Sequence, residues 1–240
     1  LRSRIGKYKE WLTTSNGSES VKEHRDHETF FKTKLRSDRI DLMTEAEFRE
    51  IYKTLWASGF WGNKDWYIDK KLLEPNEFEK IKHELKNLLY GSGEINVRYD
   101  KFRENIKGFG PSSISEILHF VFPEKYCLWN EKPKTVLPFL GLTMLPENFF
   151  KYQISTGDEY LQCVRALEIV KNELAQYGIK DFIDLDVFFW YIYKYVIPTE
   201  EAKPSERALP VPTVTIASHE SAEYYLLVLG KMLGYNPYTV

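Results

Sequence analysis

Gly108-Phe109-Gly110 runs directly into Pro111-Ser112-Ser113, and this is the stretch of the chain best suited to hold an anion. Glycine adopts φ > 0 at little cost and lets a ligand approach the backbone closely. Proline at a first helical position opens a helix whose leading N–H groups have no partner within the helix. Those amides, together with the helix dipole, favour negative charge. Gly108, Gly110, Ser112 and Ser113 are therefore the candidates for holding a phosphate through their amides, with Lys107 adding charge. The hairpin is a candidate place for a monovalent cation, and no other cofactor is expected. A plain glycine turn between two helices is the alternative.

The elements that must position this run are helical. Ile106 lies before it, and Ile114, Ile117 and Leu118 follow at helical spacing, which predicts a pair of helices over residues 102–118. Elsewhere, Ile5–Leu12 carries a short amphipathic pattern. Phe48, Ile51, Tyr52 and Leu55 predict a helix over Glu45–Trp56 with Thr44 as its N-cap. A helix starting at Pro75 is expected to end at Gly91-Ser92-Gly93. A short one is expected near Lys134–Leu140, and a longer one across Glu159–Gln176, stopped by Gly178. Phe182–Val196 is apolar nearly all round, which predicts a buried central helix. Strand-like alternation is scarce. The expected fold class is all-α, a helical bundle.

Pro198, Pro204, Pro210 and Pro212 change the texture of the chain. The expected organisation is a helical domain over residues 1–196, a proline-rich linker over 197–217, and a terminal helix within 218–240 with Ser218 as N-cap. One helix after a linker cannot bury its own apolar face. It either docks on the main domain or opens a further one. The opening residue, Leu1, reads as a processing boundary.

Of 240 residues 43% are hydrophobic, enough for a substantial core. Cys127 and Cys163 lie far apart without a CxxC, which points to a reducing, cytoplasmic setting and away from disulfides or structural zinc. No apolar run reaches membrane-spanning length, and no signal peptide is read at the start. The net charge of −2 argues against a non-specific nucleic-acid binder. It leaves room for a local basic face from Lys101, Arg103, Lys107, Lys132 and Lys134, against the alternative of solvated helix surfaces. His24, His27, His83, His119 and His219 show no metal-ligand spacing, and the run EHRDHE around His24 and His27 reads as a solvated helix.

The segment Tyr99–Leu142 resembles the helix-hairpin-helix DNA glycosylase superfamily. The resemblance rests on the hairpin Ile106–Ser113, the following Tyr126-Cys127-Leu128-Trp129-Asn130, and the ending Phe139-Leu140-Gly141-Leu142. It covers about a fifth of the chain and implies a glycosylase-like core that grips duplex DNA. The family's lyase lysine matches Ser112, which cannot form a Schiff base. Its catalytic aspartate matches Asn130, which has neither charge nor basicity. A register slip of one residue would offer Glu131 instead. The resemblance thus implies a DNA-binding domain that has lost both catalytic groups and keeps base flipping, with Tyr126, Trp129 and Asn130 around a modified or damaged base. Core packing is the alternative for Tyr126 and Trp129. An active monofunctional glycosylase with a displaced carboxylate is a second reading, and a helical protein-interaction domain a third.

ILHFVFPEKYCLWN is also similar to helical domains beside nuclease modules in prokaryotic restriction or repair proteins. The segment His219–Tyr235 resembles the first helix of a restriction-endonuclease-like fold, with Glu220 or Glu223 at its active site. The implied partners are double-stranded DNA and a nuclease domain, in a prokaryotic cytosol or nucleoid.

Two further groups are weighed. Trp56, Phe60, Trp61, Trp66 and Tyr67, threaded with glycines, either stack on bases or plug one end of the bundle. Asp184 and Asp186 either replace the lost aspartate or cap the helix over Phe182–Val196.

Overall fold

The computed structural model describes residues 2–201, and every regular element among them is helical. In order these are α1 (Arg2–Leu12), α2 (Ser15–Lys34), α3 (Ser37–Ile40), α4 (Glu45–Thr54), a 3-10 turn (Trp56–Phe60), and α5 (Lys64–Tyr67) leading into a π turn (Ile68–Leu73). Then come α6 (Phe78–Tyr90), α7 (Ile95–Asn105), α8 (Pro111–Val121), α9 (Glu131–Phe139), α10 (Glu147–Lys151) and α11 (Gly157–Leu174). The last are α12 (Phe182–Tyr191), extended by a π turn (Ile192–Val196), and α13 (Ile197–Glu201). None of the described helices is long and apolar enough to cross a membrane.

Local chemistry explains most of the boundaries. Thr44 and Glu47 form a reciprocal capping box at α4, and Thr156 and Glu159 form another at α11. Gly178 stops the turn after α11 at φ 102°. The helix expected from Pro75 begins later, at Phe78, because the Asn76 side chain turns back to hydrogen-bond the carbonyls of Leu72 and Lys107. The helix expected from Lys134 begins earlier, at Glu131, because Asn130 caps it by accepting from the Lys132 amide.

Two expectations need correction. α2 is not a solvated helix throughout: His24 is 4% exposed, and Phe31 and Ser20 are buried with it. The expected linker does not start at 197, since Ile197–Glu201 continues as helix. Pro198 would clash with the carbonyl four residues back in a regular helix. That carbonyl belongs to Lys194, inside the π turn, where the winding is wider. Arg4 of α1 binds Glu200 at 2.6 Å and ties this end to the body. The remainder of the expected linker, from 202, and the terminal helix with Ser218, Glu220 and Glu223 lie outside the described residues.

α8 is the axis of the fold. All of Ser113 to Val121 is buried, against α2, α12 and the 3-10 turn. Three of those residues are polar or ionisable besides Ser113: Ser115, Glu116 and His119. A helix so enclosed ordinarily carries apolar side chains, so each buried polar group must find a partner.

Candidate functional site

The hairpin between α7 and α8 is fastened from one side. The Lys107 amide donates to Asn76 Oδ1 at 2.9 Å, and the Lys107 carbonyl accepts from Asn76 Nδ2 at 3.0 Å. The Tyr67 hydroxyl donates to the Gly108 carbonyl at 2.9 Å. The carbonyls of Lys107 and Gly108 therefore each accept one side-chain hydrogen bond. Phe109 is buried, edge-on to Tyr52 and Phe102.

The two glycines have different jobs. Gly108 sits at φ 89°, and a Cβ there would lie 2.2 Å from the Lys71 carbonyl oxygen. Gly110 is the exposed N-cap of α8, and a Cβ there would meet nothing within 4 Å. Having no side chain, Gly110 leaves the amides of Ser112 and Ser113 uncapped. Gly108→Ala is expected to lower stability by about 2 kcal/mol or more, since the left-handed conformation and a backbone clash act together. Gly110→Ala is expected to leave the urea midpoint unchanged. Equal midpoints for the two variants would contradict this division.

Ser112 also faces a cavity of about 450 Å³, within the range of ordinary ligand pockets. Its wall includes Trp56 and Ala57 from the 3-10 turn, Ser112 and Glu116 from α8, and Asn130 and Lys132 at the start of α9. Trp190 and Tyr193 close it from α12 and the π turn after it, and Glu131, Lys134 and Gln153 also contribute. Ser112 and Glu116 are four residues apart, so one face of α8 lines the cavity from its first turn onward.

Beneath the cavity lies a buried charge cluster. Asp186 is 4% exposed, and its Oδ2 lies 2.8 Å from Lys132 Nζ and 3.1 Å from His24 Nε2. The other ring nitrogen of His24 lies 2.7 Å from the Ser20 carbonyl. Both nitrogens thus lie within hydrogen-bonding distance of an oxygen atom. Burial pushes the Asp186 carboxyl up, but Lys132 and the hydrogen bond from His24 outweigh it, holding the group well below the usual carboxylate range. The Lys132 ammonium sits 5.0 Å from the Trp56 ring and 5.6 Å from the Trp190 ring, between the two indoles.

Glu116 has no ion pair among the described residues. Its Oε1 accepts from the Trp56 amide at 2.6 Å and its Oε2 from the Ala57 amide at 2.9 Å. It caps the 3-10 turn, because Leu55, the residue in the capping position, has no side-chain acceptor. It thereby holds Trp56 in the cavity wall. Burial pushes its carboxyl up to about 7, against the opposing effect of the two amides and Lys132. His119, one turn further on, is fully enclosed, and burial brings it down to about 4. Its Nδ1 lies 3.3 Å from the Tyr126 carbonyl.

The structure brings Ser112, Asn130 and Glu131 to one cavity, with Glu131 exposed at the rim. Tyr126 and Trp129 are not in its wall. Trp129 is 2% exposed in the core, and the Tyr126 hydroxyl accepts from Arg98 Nη2 at 3.2 Å. The segment 126–130 has no regular structure and alternates sides as an extended chain does. Leu128 and Asn130 face the cavity, while Cys127 and Trp129 are in the core. Neither Asp184 nor Asp186 is the helix cap: Asp181 takes that place, accepting from the Asp184 amide at 2.9 Å. Asp184 binds Arg25 at 2.6 Å, away from the cavity.

The expected basic face is thinner than its sequence. Lys132 is committed to Asp186, Lys134 donates to the Tyr152 carbonyl, and Arg103 donates to the Ser155 carbonyl. Lys101 and Lys107 remain exposed. The aromatic cluster divides. Trp56 enters the cavity wall, Tyr67 stacks between Tyr52 and Trp61, and Trp61 and Trp66 are 43% and 50% exposed. Glu116, His24, Trp190 and Tyr193 were not legible as site residues. For Glu116 a signal existed: it is the one carboxylate in Ile114 to Phe120, a run otherwise apolar apart from Ser115 and His119.

Comparison with protein-family models, with curated proteins and with solved structures returns no match for this chain.

Proposed function

We propose that this chain is a DNA-binding domain in which the α7–α8 hairpin holds a backbone phosphate and the adjoining cavity receives an extrahelical base. The observation that carries this reading is the position of Ser112. Its amide belongs to the uncapped end of α8, and the residue also lines an aromatic-walled cavity. A phosphate and the base of a nearby nucleotide need two such sites side by side. Indole walls at Trp56 and Trp190 suit a flat heterocycle. A modified or damaged base leaves the stack at lower cost, which suits a role beside a restriction or repair nuclease. Ser112 and Asn130 supply no lyase amine and no catalytic carboxylate, so binding rather than base excision is the reading.

The test is titration of the chain against matched duplexes, one plain and others with a single modified, mismatched or abasic position, at one salt concentration. The double variant Gly110→Ala, Lys107→Glu changes only exposed positions and is expected to keep the fold while binding at least about tenfold more weakly. Unchanged affinity would remove the hairpin from the interface. Release of free base would instead make the chain a glycosylase acting through another carboxylate.

A further inference from the structure

We propose that the cavity, read as a base site, selects a nucleobase bearing an exocyclic amine, of the cytosine type, over one with a carbonyl in that place. Glu116 is the residue that reads the amine, and Asn130 and Lys132 donate to the adjacent ring acceptors. Glu116 is 1% exposed and lines the cavity. An ionised carboxylate has about four lone-pair positions and no donor. Two are taken by the amides of Trp56 and Ala57, so what remains can only accept.

Asn130 is the opposite case. Its Oδ1 accepts from the Lys132 amide at 3.0 Å, which leaves its amide NH₂, a donor, as the polar group this cavity-lining residue still has to offer. Lys132 Nζ has three protons, one of which is directed at Asp186. These three lining residues therefore present an acceptor together with donors. Cytosine presents an amine donor next to a ring nitrogen and a carbonyl, both acceptors. Uracil and thymine present a carbonyl where cytosine has its amine, and this would set oxygen against the Glu116 carboxylate. A buried carboxylate without an ion pair gains from a donor aimed at it and loses from an acceptor. Sites built this way reject the mismatched partner strongly, because buried polar groups are left unpaired.

The experiment uses the full chain and duplexes with one unpaired nucleotide, either cytosine or uracil, beside an abasic control. The titrations are run at pH 8, above the value of about 7 to which burial pushes the Glu116 carboxyl. Cytosine is expected to bind at least about tenfold tighter than uracil. Glu116→Gln is expected to bring the two within about twofold of each other. Should that variant fail to fold, the ratio measured on the unaltered chain still decides. Equal affinity for cytosine and uracil, or a preference for uracil, overturns the assignment of Glu116. Equal binding of all three duplexes shows that no base enters the cavity and overturns the base site itself, while leaving the phosphate grip. Failure to bind any duplex overturns the DNA reading altogether.

Discussion

Replacing Asp186 with alanine is expected to lower the stability of the protein by about 3–5 kcal/mol, the scale for removing one partner of a buried ion pair. Asp186 is 4% exposed and serves two groups at once, Lys132 at 2.8 Å and His24 at 3.1 Å. Its loss leaves the Lys132 ammonium and the His24 ring facing an empty space inside the protein. Lys132 is the residue between Trp56 and Trp190, so the loss should also disturb the indole walls. Tryptophan emission should therefore change before global unfolding begins. Asp184→Ala is the control. Asp184 is more exposed and shares Arg25 with Asp181 and Glu28, so its removal is expected to cost about 1 kcal/mol or less. Urea unfolding of the two variants measures the difference, and near-equal midpoints would show that Asp186 is not the anchor of the cluster.

The second large effect is hidden in the unaltered protein. The Glu116 carboxyl stands at about 7 when folded, against 4.5 for an ordinary glutamate. The folded chain thus holds this proton more tightly than the unfolded one. Its contribution is favourable at low pH and is lost as pH rises from about 4.5 to about 7, a change of about 3 kcal/mol. His119 runs the other way. It stands at about 4 when folded against 6.5, so the unfolded chain takes up its proton first, and stability rises by about 3 kcal/mol between about pH 4 and 6.5. The two slopes oppose each other over the same interval. Stability of the unaltered chain is expected to be nearly flat between about pH 4.5 and 6.5. His119→Gln should expose the Glu116 slope, with stability falling as pH rises. Glu116→Gln should expose the opposite slope. Both variants tracking the unaltered chain from pH 4.5 to 7 in urea unfolding would refute the opposed burial of these groups. Asp186 acts below this interval. Its carboxyl is depressed, so its contribution is present above about pH 4 and is lost only as pH falls further.

The burial of α8 links these two results to the candidate site. Glu116 caps the 3-10 turn that carries Trp56, and Lys132 and Asp186 hold the space between Trp56 and Trp190. The groups that make the cavity polar are thus the groups that fix its aromatic walls. A ligand that donates to Glu116 would stabilise the same turn. Buried polar groups that are fully partnered define one arrangement of a core, and partly partnered ones leave capacity for a ligand.

Much of the helical layout was legible because caps and periodicity are local. Thr44 with Glu47, the glycine at 178 and the apolar run from Phe182 each act within a few residues of chain. The hairpin was legible for the same reason: Gly108-Phe109-Gly110 and Pro111 need only their own backbone geometry to make the turn and start α8. The errors arose where a neighbour distant in sequence took over. Asn76 delayed α6 by binding the hairpin, and Trp129 entered the core because Asn130 and Leu128 took the cavity side of an extended segment.

By itself the sequence determined the all-helical class, the glycine hairpin, and Ser112 and Asn130 as positions to compare. Tertiary structure alone decided that these two face one cavity, that Trp56 and Trp190 wall it, and that His24, read as solvated, is buried against Asp186. The reason is separation along the chain. His24 and Asp186 stand 162 residues apart and Lys132 and Asp186 stand 54 apart, and no local pattern records which charges will be enclosed together. Only the packing of α2 and α9 against α12 brings them within hydrogen-bonding distance and excludes the water that would otherwise screen them.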